Sequence, residues 1–179
     1  ILGVSLAFAG AAAKEKGIEL YEYLGSLVGR HDFRLPQPMF NIINGGKHAD
    51  NGLDIQEFMI GPVRFGAFRE KVQAAAGVIS SLREILKKKG HAISIGAEGG
   101  FAPRLSSNEE ALELIVQAIK DAGYPTGAIK IGIDAAASSF YKDGSYRLKV
   151  VSEAKSLDSL GMIDWYKELI EKYPIISVE

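Results

Sequence analysis

Acidic and amide side chains recur on or just after short apolar runs in this chain, at Asn44, Glu57, Glu98, Asp134 and Glu179. If those runs are parallel strands of a barrel, residues at their C-terminal ends converge on one mouth. Several carboxylates in one mouth repel each other and call for a cation. A hard divalent ion that prefers oxygen, such as Mg²⁺, suits them. Gln56-Glu57 sits within the apolar run 55–60. Adjacent strand residues point to opposite faces, so at most one of the two faces a given side. A carboxylate in so apolar a strand is costly unless it is paired or bound to a cation, which favours a functional role for Glu57.

The stretch Gly96-Ala97-Glu98-Gly99-Gly100-Phe101-Ala102-Pro103 frames one acid with glycines. It has neither the Walker spacing nor that of a dinucleotide fingerprint. A catalytic carboxylate on a shaped loop and a plain turn fit it about equally. In Asn41-Ile42-Ile43-Asn44-Gly45-Gly46-Lys47-His48-Ala49 the glycine pair permits a sharp turn and close approach of backbone to a ligand. Lys47 and His48 could meet a phosphate there, although an ordinary glycine turn with an exposed histidine fits the spacing better. Asp134 ends the run 129–133 and Glu179 ends 175–178. Each alone could be a helix cap or a surface acid. As a pair at equivalent strand ends they look more like metal ligands, expected side by side on neighbouring parallel strands.

The elements that must position these residues are legible in outline. Runs 39–43, 55–60, 129–133 and 175–178 read as strands buried on both faces. Phe68, Val72, Ala75, Ile79, Leu82 and Leu86 form one face of a helix that Lys87-Lys88-Lys89 and Gly90 close. Ser107-Asn108-Glu109-Glu110 is a capping box opening a second helix, through Leu112, Ile115 and Ile119. A third runs through Ile163, Tyr166, Leu169, Ile170 and Tyr173 to Pro174. Asp143-Gly144 predicts a hairpin turn. Two strands, two helices, then strand, hairpin, helix and strand predict an α/β architecture.

Composition narrows the function classes. The chain has 179 residues, 47% hydrophobic and 24% charged, with formal net charge -1. That balance offers nothing to nucleic acid or an anionic membrane. The absence of cysteine excludes disulfides, thiolate metal sites and cysteine nucleophiles, and is compatible with a reducing cytoplasm. Residues 1–13 are apolar, lack the basic residues of a signal peptide and are too short to span a bilayer, which takes about 20 residues. They are expected to form a buried, Ala-rich helix, and a chain that opens in mid-helix suggests a fragment.

Five motifs, in order, resemble enolases: residues 40–48, Gln56-Glu57-Phe58-Met59-Ile60, Glu98-Gly99-Gly100-Phe101-Ala102-Pro103, Gly132-Ile133-Asp134-Ala135-Ala136 and Ser177-Val178-Glu179. The resemblance covers essentially the whole chain. It implies a partial, truncated enolase-type TIM-like barrel of the α/β class, with a ββαα start followed by βα units. Residues 1–34 would be the helical segment linking a missing N-terminal domain to the barrel, and residues 35–179 the first half of that barrel. It implies reversible dehydration of 2-phosphoglycerate to phosphoenolpyruvate in the cytoplasm, with Mg²⁺ as cofactor and a homodimer or higher homo-oligomer as the assembly. Neither nucleic acid nor a membrane span is expected.

By that resemblance Glu98 matches the acid that assists departure of the hydroxyl, and Glu57 its partner carboxylate. His48 and Gln56, with Glu57, match substrate-pocket positions, and Asp134 and Glu179 match two of three carboxylates that hold the first Mg²⁺. Members of the superfamily use a Lys or His base with Mg²⁺ stabilising an ene-diolate. The family's base and third metal carboxylate would follow Glu179 and its mobile loop would precede Ile1, so the chain alone is expected to be inactive. One position departs from the pattern: Ala97 stands where the family usually has Asp. Read as strand-like, this stretch would point Ala97 away from Glu98. The departure keeps open the alternative of an enolase-derived structural or binding protein without catalysis.

Overall fold

The computed structural model describes residues 1–149 and 155–179, with Ala97 and Lys155 described by backbone alone. The chain divides into two units, Ile1–Pro36 and Gln37–Glu179.

In the first unit, α1 (Leu2–Lys16) and α2 (Leu20–Leu27) form a helical pair. Gly17 ends α1 in the left-handed region at φ 66°, where a Cβ would be strained. Glu22 closes back on the start of α2, accepting from the Glu19 N–H at 2.9 Å. The Ala-rich helix expected from sequence is present, but it is not buried as expected. Ala9 and Ala13 pack with Tyr23, whereas Leu2, Val4, Leu6 and Phe8 are exposed. The physical reason is coverage: α1 is apolar all round, and the small-residue stripe at i, i+4 admits only one neighbour within the unit.

The second unit runs β1 (Phe40–Asn44), β2 (Glu57–Pro62), α3 (Phe68–Lys88), α4 (Asn108–Asp121), β3 (Ile129–Asp134), β4 (Tyr141–Lys142), β5 (Ser145–Leu148), β6 (Lys155–Leu157), α5 (Ser159–Lys172) and β7 (Ile175–Val178). Its main sheet has the order β1-β2-β3-β7, and β4-β5-β6 form a small second sheet. This is a mixed α/β structure of partial TIM-barrel type, not closed. The ββαα opening expected from sequence is observed.

The sheet is not all parallel, however. β2 is antiparallel to both β1 and β3, and only β3 and β7 pair in parallel. Along β3, Ile129, Ile131 and Ile133 are fully buried, while Lys130 and Asp134 are partly accessible. With Phe58, Ile60, Leu82, Leu86, Leu112, Ile115 and Ile119 these isoleucines build the core. Burying one Leu, Ile or Phe side chain contributes about 1.5–3 kcal/mol.

Helix ends follow sequence with small shifts. Ser107 Oγ accepts from the Glu110 N–H at 3.0 Å, the first half of the capping box. The second half reaches one residue further back, because the Glu110 carboxylate takes both the N–H and the hydroxyl of Ser106, each at 2.7 Å. In α3 the buried face is centred on Ala75, Val78, Leu82 and Leu86, leaving Phe68 and Val72 exposed. The buried stripe of α5 is Met162, Trp165 and Leu169, with Ile163 and Ile170 outside it. At the β4–β5 turn Asp143 and Gly144 both take positive φ, 51° and 83°, as a type I′ hairpin demands.

Candidate functional site: an acidic mouth at one end of the sheet

Strand direction explains how the acids meet. Asn44 and Asp134 end β1 and β3, whereas Glu57 begins β2. Because β2 runs the opposite way, its start lies at the same edge as its neighbours' ends. Register places Glu57 opposite Asn44 on one side and opposite Asp134 on the other. The expectation that these residues share a mouth holds, but the expected reason, a set of C-terminal ends of parallel strands, does not apply to Glu57.

Two loops complete the edge. Gly46–His48 is a 3₁₀ turn after β1, and it delivers His48 Nδ1 to 3.3 Å from Glu57 Oε1. The contact lies off the direction of a hydrogen bond, for Nδ1 is buried and makes none among the described residues. The second loop is the turn Ala97–Gly99, with Glu98 itself in the left-handed region at φ 60°. The strand-like reading of this stretch is thereby corrected: flanking glycines let the chain turn here, and only isolated bridges join Ile95 and Ile43 to Phe101. Where the Ala97 side chain points lies outside the described residues. His48, Glu57 and Glu98 each present a donor atom within 4.8 Å of the others.

The Glu57 carboxyl titrates above its usual 4.5. Burial is the leading cause, followed by a side-chain hydrogen bond with Glu98 and the charges of Glu98 and Asp134, against which His48 pulls the other way. Asp134 is held from two directions. Its Oδ1 accepts from the Ala136 N–H at 2.8 Å and its Oδ2 from Gln56 Nε2 at 3.2 Å. Gln56 and Glu57 thus serve different partners, as adjacent residues at a strand start should. Glu179 follows β7, its N–H donating to the Ile133 carbonyl at 2.9 Å and its carbonyl accepting from Ala135 at 3.0 Å. Asp134 and Glu179 therefore stand at adjacent ends of parallel β3 and β7.

Sequence reasoning missed the polar scaffold beneath these loops. Asn44, wholly buried, donates to the Gly100 carbonyl at 3.1 Å, and a Cβ at Gly100 would come within 2.9 Å of its Oδ1. Only glycine lets the Glu98 loop lie so close. Asn51 ties both loops together, donating to the carbonyls of Asn44 and Pro103 at 2.8 and 2.9 Å. Asn108, also wholly buried, accepts from the N–H groups of Asp54 and Ile55 and donates to the Asp54 carboxylate. Asn108 was legible only as the start of α4, and no spacing signals that its side chain would turn inward.

A cavity of about 520 Å³ lies beyond residues 46–54, lined in part by Lys47, Asp50, Arg147 and Lys149. It includes none of Glu57, Glu98 or Asp134. Lys47 lines this cavity, whereas His48 stands against Glu57. No helix among the described residues is long and apolar enough to cross a membrane.

Fold and site together define an α/β protein of partial barrel type with carboxylates gathered along one edge of its sheet. The family model for the enolase C-terminal TIM barrel domain matches residues 32–179, and the chain belongs to that family.

Proposed function

We propose that the chain carries half of the active site of an enolase, dehydrating 2-phosphoglycerate reversibly to phosphoenolpyruvate as a hydro-lyase. The observation that supports this most directly is the Glu57–Glu98 pair beside Asp134, in which burial first, and then the neighbouring carboxylates, raise the Glu57 pKa. A hydro-lyase needs a proton delivered to a departing hydroxide, and a carboxyl whose pKa is raised keeps its proton to higher pH than an ordinary one. Glu98, exposed on its left-handed turn, reaches the substrate side. Glu57, deeper in the site, holds the proton and re-supplies Glu98. His48 and Gln56 line the pocket, Gln56 also fixing Asp134.

Asp134 and Glu179 offer hard carboxylate oxygens at neighbouring strand ends, the donor chemistry that Mg²⁺ takes. Bound there, Mg²⁺ would supply positive charge to the substrate carboxylate as the enolate develops. The hydrogen bonds from Gln56 and Ala136 orient Asp134 for that task. A cytoplasmic, homo-oligomeric enzyme is part of the same reading.

The decisive experiment is Glu98→Gln in the complete polypeptide. The amide is nearly isosteric but delivers no proton, so dehydration should fall by roughly 10²–10⁴-fold. Proton exchange at C2 and Mg²⁺ affinity should be largely kept. Equal loss of exchange and dehydration, with metal binding intact, would remove Glu98 from the leaving-group side.

A further inference from the structure

We propose that Asn51–Gly52 is a deamidation site, and that conversion of Asn51 to an acid unties the two loops that carry His48 and Glu98. The chain holds two Asn-Gly dipeptides, Asn44–Gly45 and Asn51–Gly52. Glycine after asparagine favours attack of its backbone nitrogen on the side-chain amide, because no Cβ obstructs the approach. The fold separates the two dipeptides. Gly45 is buried, and its N–H donates to the Gln56 carbonyl at 2.9 Å, so its nitrogen is engaged. Gly52 is exposed, in the left-handed region at φ 90°, and its N–H makes no hydrogen bond among the described residues. Asn44 is also held within β1, whereas Asn51 lies in the irregular stretch that leads to β2.

The reaction needs only water. The Gly52 nitrogen gives up its proton and bonds to Asn51 Cγ. The Cγ–N bond breaks, and ammonia leaves with that proton. Water then opens the succinimide ring at one of its two carbonyls, leaving aspartate or isoaspartate. In the closed loops three hydrogen bonds hold the Asn51 amide: Nδ2 donates to the carbonyls of Asn44 and Pro103 at 2.8 and 2.9 Å, and Oδ1 accepts from the Leu53 N–H at 3.3 Å. Attack therefore follows a local opening, and the rate of conversion reports how often the loops part. Afterwards the closed arrangement is lost. The group that donated to two carbonyls now only accepts, and it sets a negative charge against both oxygens at a buried position. Isoaspartate also adds a methylene to the backbone between residues 51 and 52. Two bonds that join the loops then lose their clamp, Asn44 N–H to the Phe101 carbonyl at 2.8 Å and Phe101 N–H to the Ile42 carbonyl at 3.0 Å.

The test ages the complete, folded polypeptide in mildly alkaline buffer and maps its peptides by mass spectrometry, with the denatured chain as control. Cleavage after Lys47 puts Asn44 and Asn51 in separate peptides. Both should convert in the denatured chain. In the folded protein Asn51 should convert at least about tenfold faster than Asn44. Conversion of Asn44 as fast as Asn51, or of neither while the denatured chain converts both, overturns the site. The consequence is read by hydrogen exchange at the Phe101 amide, whose protection should fall by at least about tenfold in Asn51→Asp. If Asn51→Asp folds poorly, the aged fraction that carries the extra negative charge is separated by ion exchange and measured instead. Unchanged protection would overturn the untying of the loops. Both readouts are independent of turnover, so a protein with no dehydratase activity could uphold the site while sinking the proposed function.

Discussion

Two His–Glu pairs lie among the described residues of this unit, and they differ in what surrounds them. His48 Nδ1 stands 3.3 Å from Glu57, and His91 Nε2 stands 4.0 Å from Glu110. Around Glu57 the neighbours are further carboxylates, Glu98 and Asp134, and its pKa is raised. Around Glu110 they are donors, chiefly the hydroxyl and N–H of Ser106, and its pKa is lowered. One carboxylate is placed where its charge is unwelcome, the other where its charge is already satisfied. A histidine nearby therefore says little about role. The donors and charges behind the carboxylate separate a site for chemistry from a helix cap.

The largest contrast should come from activity. In the complete polypeptide Glu57→Gln is expected to lower dehydration by roughly 10²–10⁴-fold, the range of a general-acid contribution, whereas Glu110→Gln should leave turnover unchanged. Stability should move the opposite way. A group with a raised folded pKa contributes stability that is complete below its unfolded value and lost as pH rises through the folded one. Wild type therefore loses stability through Glu57 as pH climbs above 4.5, and Glu57→Gln does not. Thermal unfolding of the two proteins across that window should show the variant gaining on wild type with rising pH. A constant difference would mean that the carboxylate crowding is not felt by the fold.

A smaller effect is expected from the scaffold shared by the loops. Asn108→Ala removes the side-chain oxygen that accepts from the N–H groups of the buried Asp54 and Ile55. Leaving buried donors unsatisfied costs about 1–3 kcal/mol, readable as a lowered denaturant midpoint at unchanged slope. Asn108 sits at the start of α4 and Asp54 in the chain leading into β2, so this loss should loosen the approach to Glu57 more than the Glu110 cap.

How much of this was legible depends on the range of the physics involved. Local signals carried well: Asp143-Gly144 made its hairpin and Ser107 its cap, because a few neighbouring dihedrals and one hydrogen bond decide them. The four main strands fell where the apolar runs placed them. Strand direction was not legible, since period and β-branching are the same for parallel and antiparallel pairing, and so Glu57 was not read as a strand start. The exposed side of α1 was missed because an all-round apolar helix carries no phase to show which stripe is covered. The strand β6 has only the three residues Lys155–Leu157, too few to show alternation. At the mouth, the identities of Glu57, Glu98, Asp134 and Glu179 came from motifs. The scaffold of Asn44, Asn51 and Asn108 came chiefly from tertiary proximity across 50 or more residues, as in the Asn44–Gly100 bond, and the His48–Glu57 contact from the turn after β1 folding back on the start of β2.

The smallest effect is expected at Glu110, where the sign of the comparison is tested from its other side. The carboxylate accepts two hydrogen bonds from Ser106 ahead of α4, whose first turn carries the positive end of the helix dipole. Both favour the ionised form, and Ser106 is the larger cause of the lowered pKa. A group with a depressed folded pKa contributes stability above its unfolded value and loses it as pH falls through the folded one. Glu110→Gln keeps one acceptor oxygen but neither the charge nor the second acceptor. It should cost about 1 kcal/mol at neutral pH, in the range of a charge at a helix start. That cost should shrink as pH drops below the usual 4.5, because wild type then protonates and loses the same interactions. Thermal melts of both proteins at neutral pH and below 4.5 measure this directly. A gap that stayed constant with pH would assign the Glu110 contribution to packing rather than charge. The opposite pH slopes expected of the two His–Glu pairs would then not be a contrast in electrostatics.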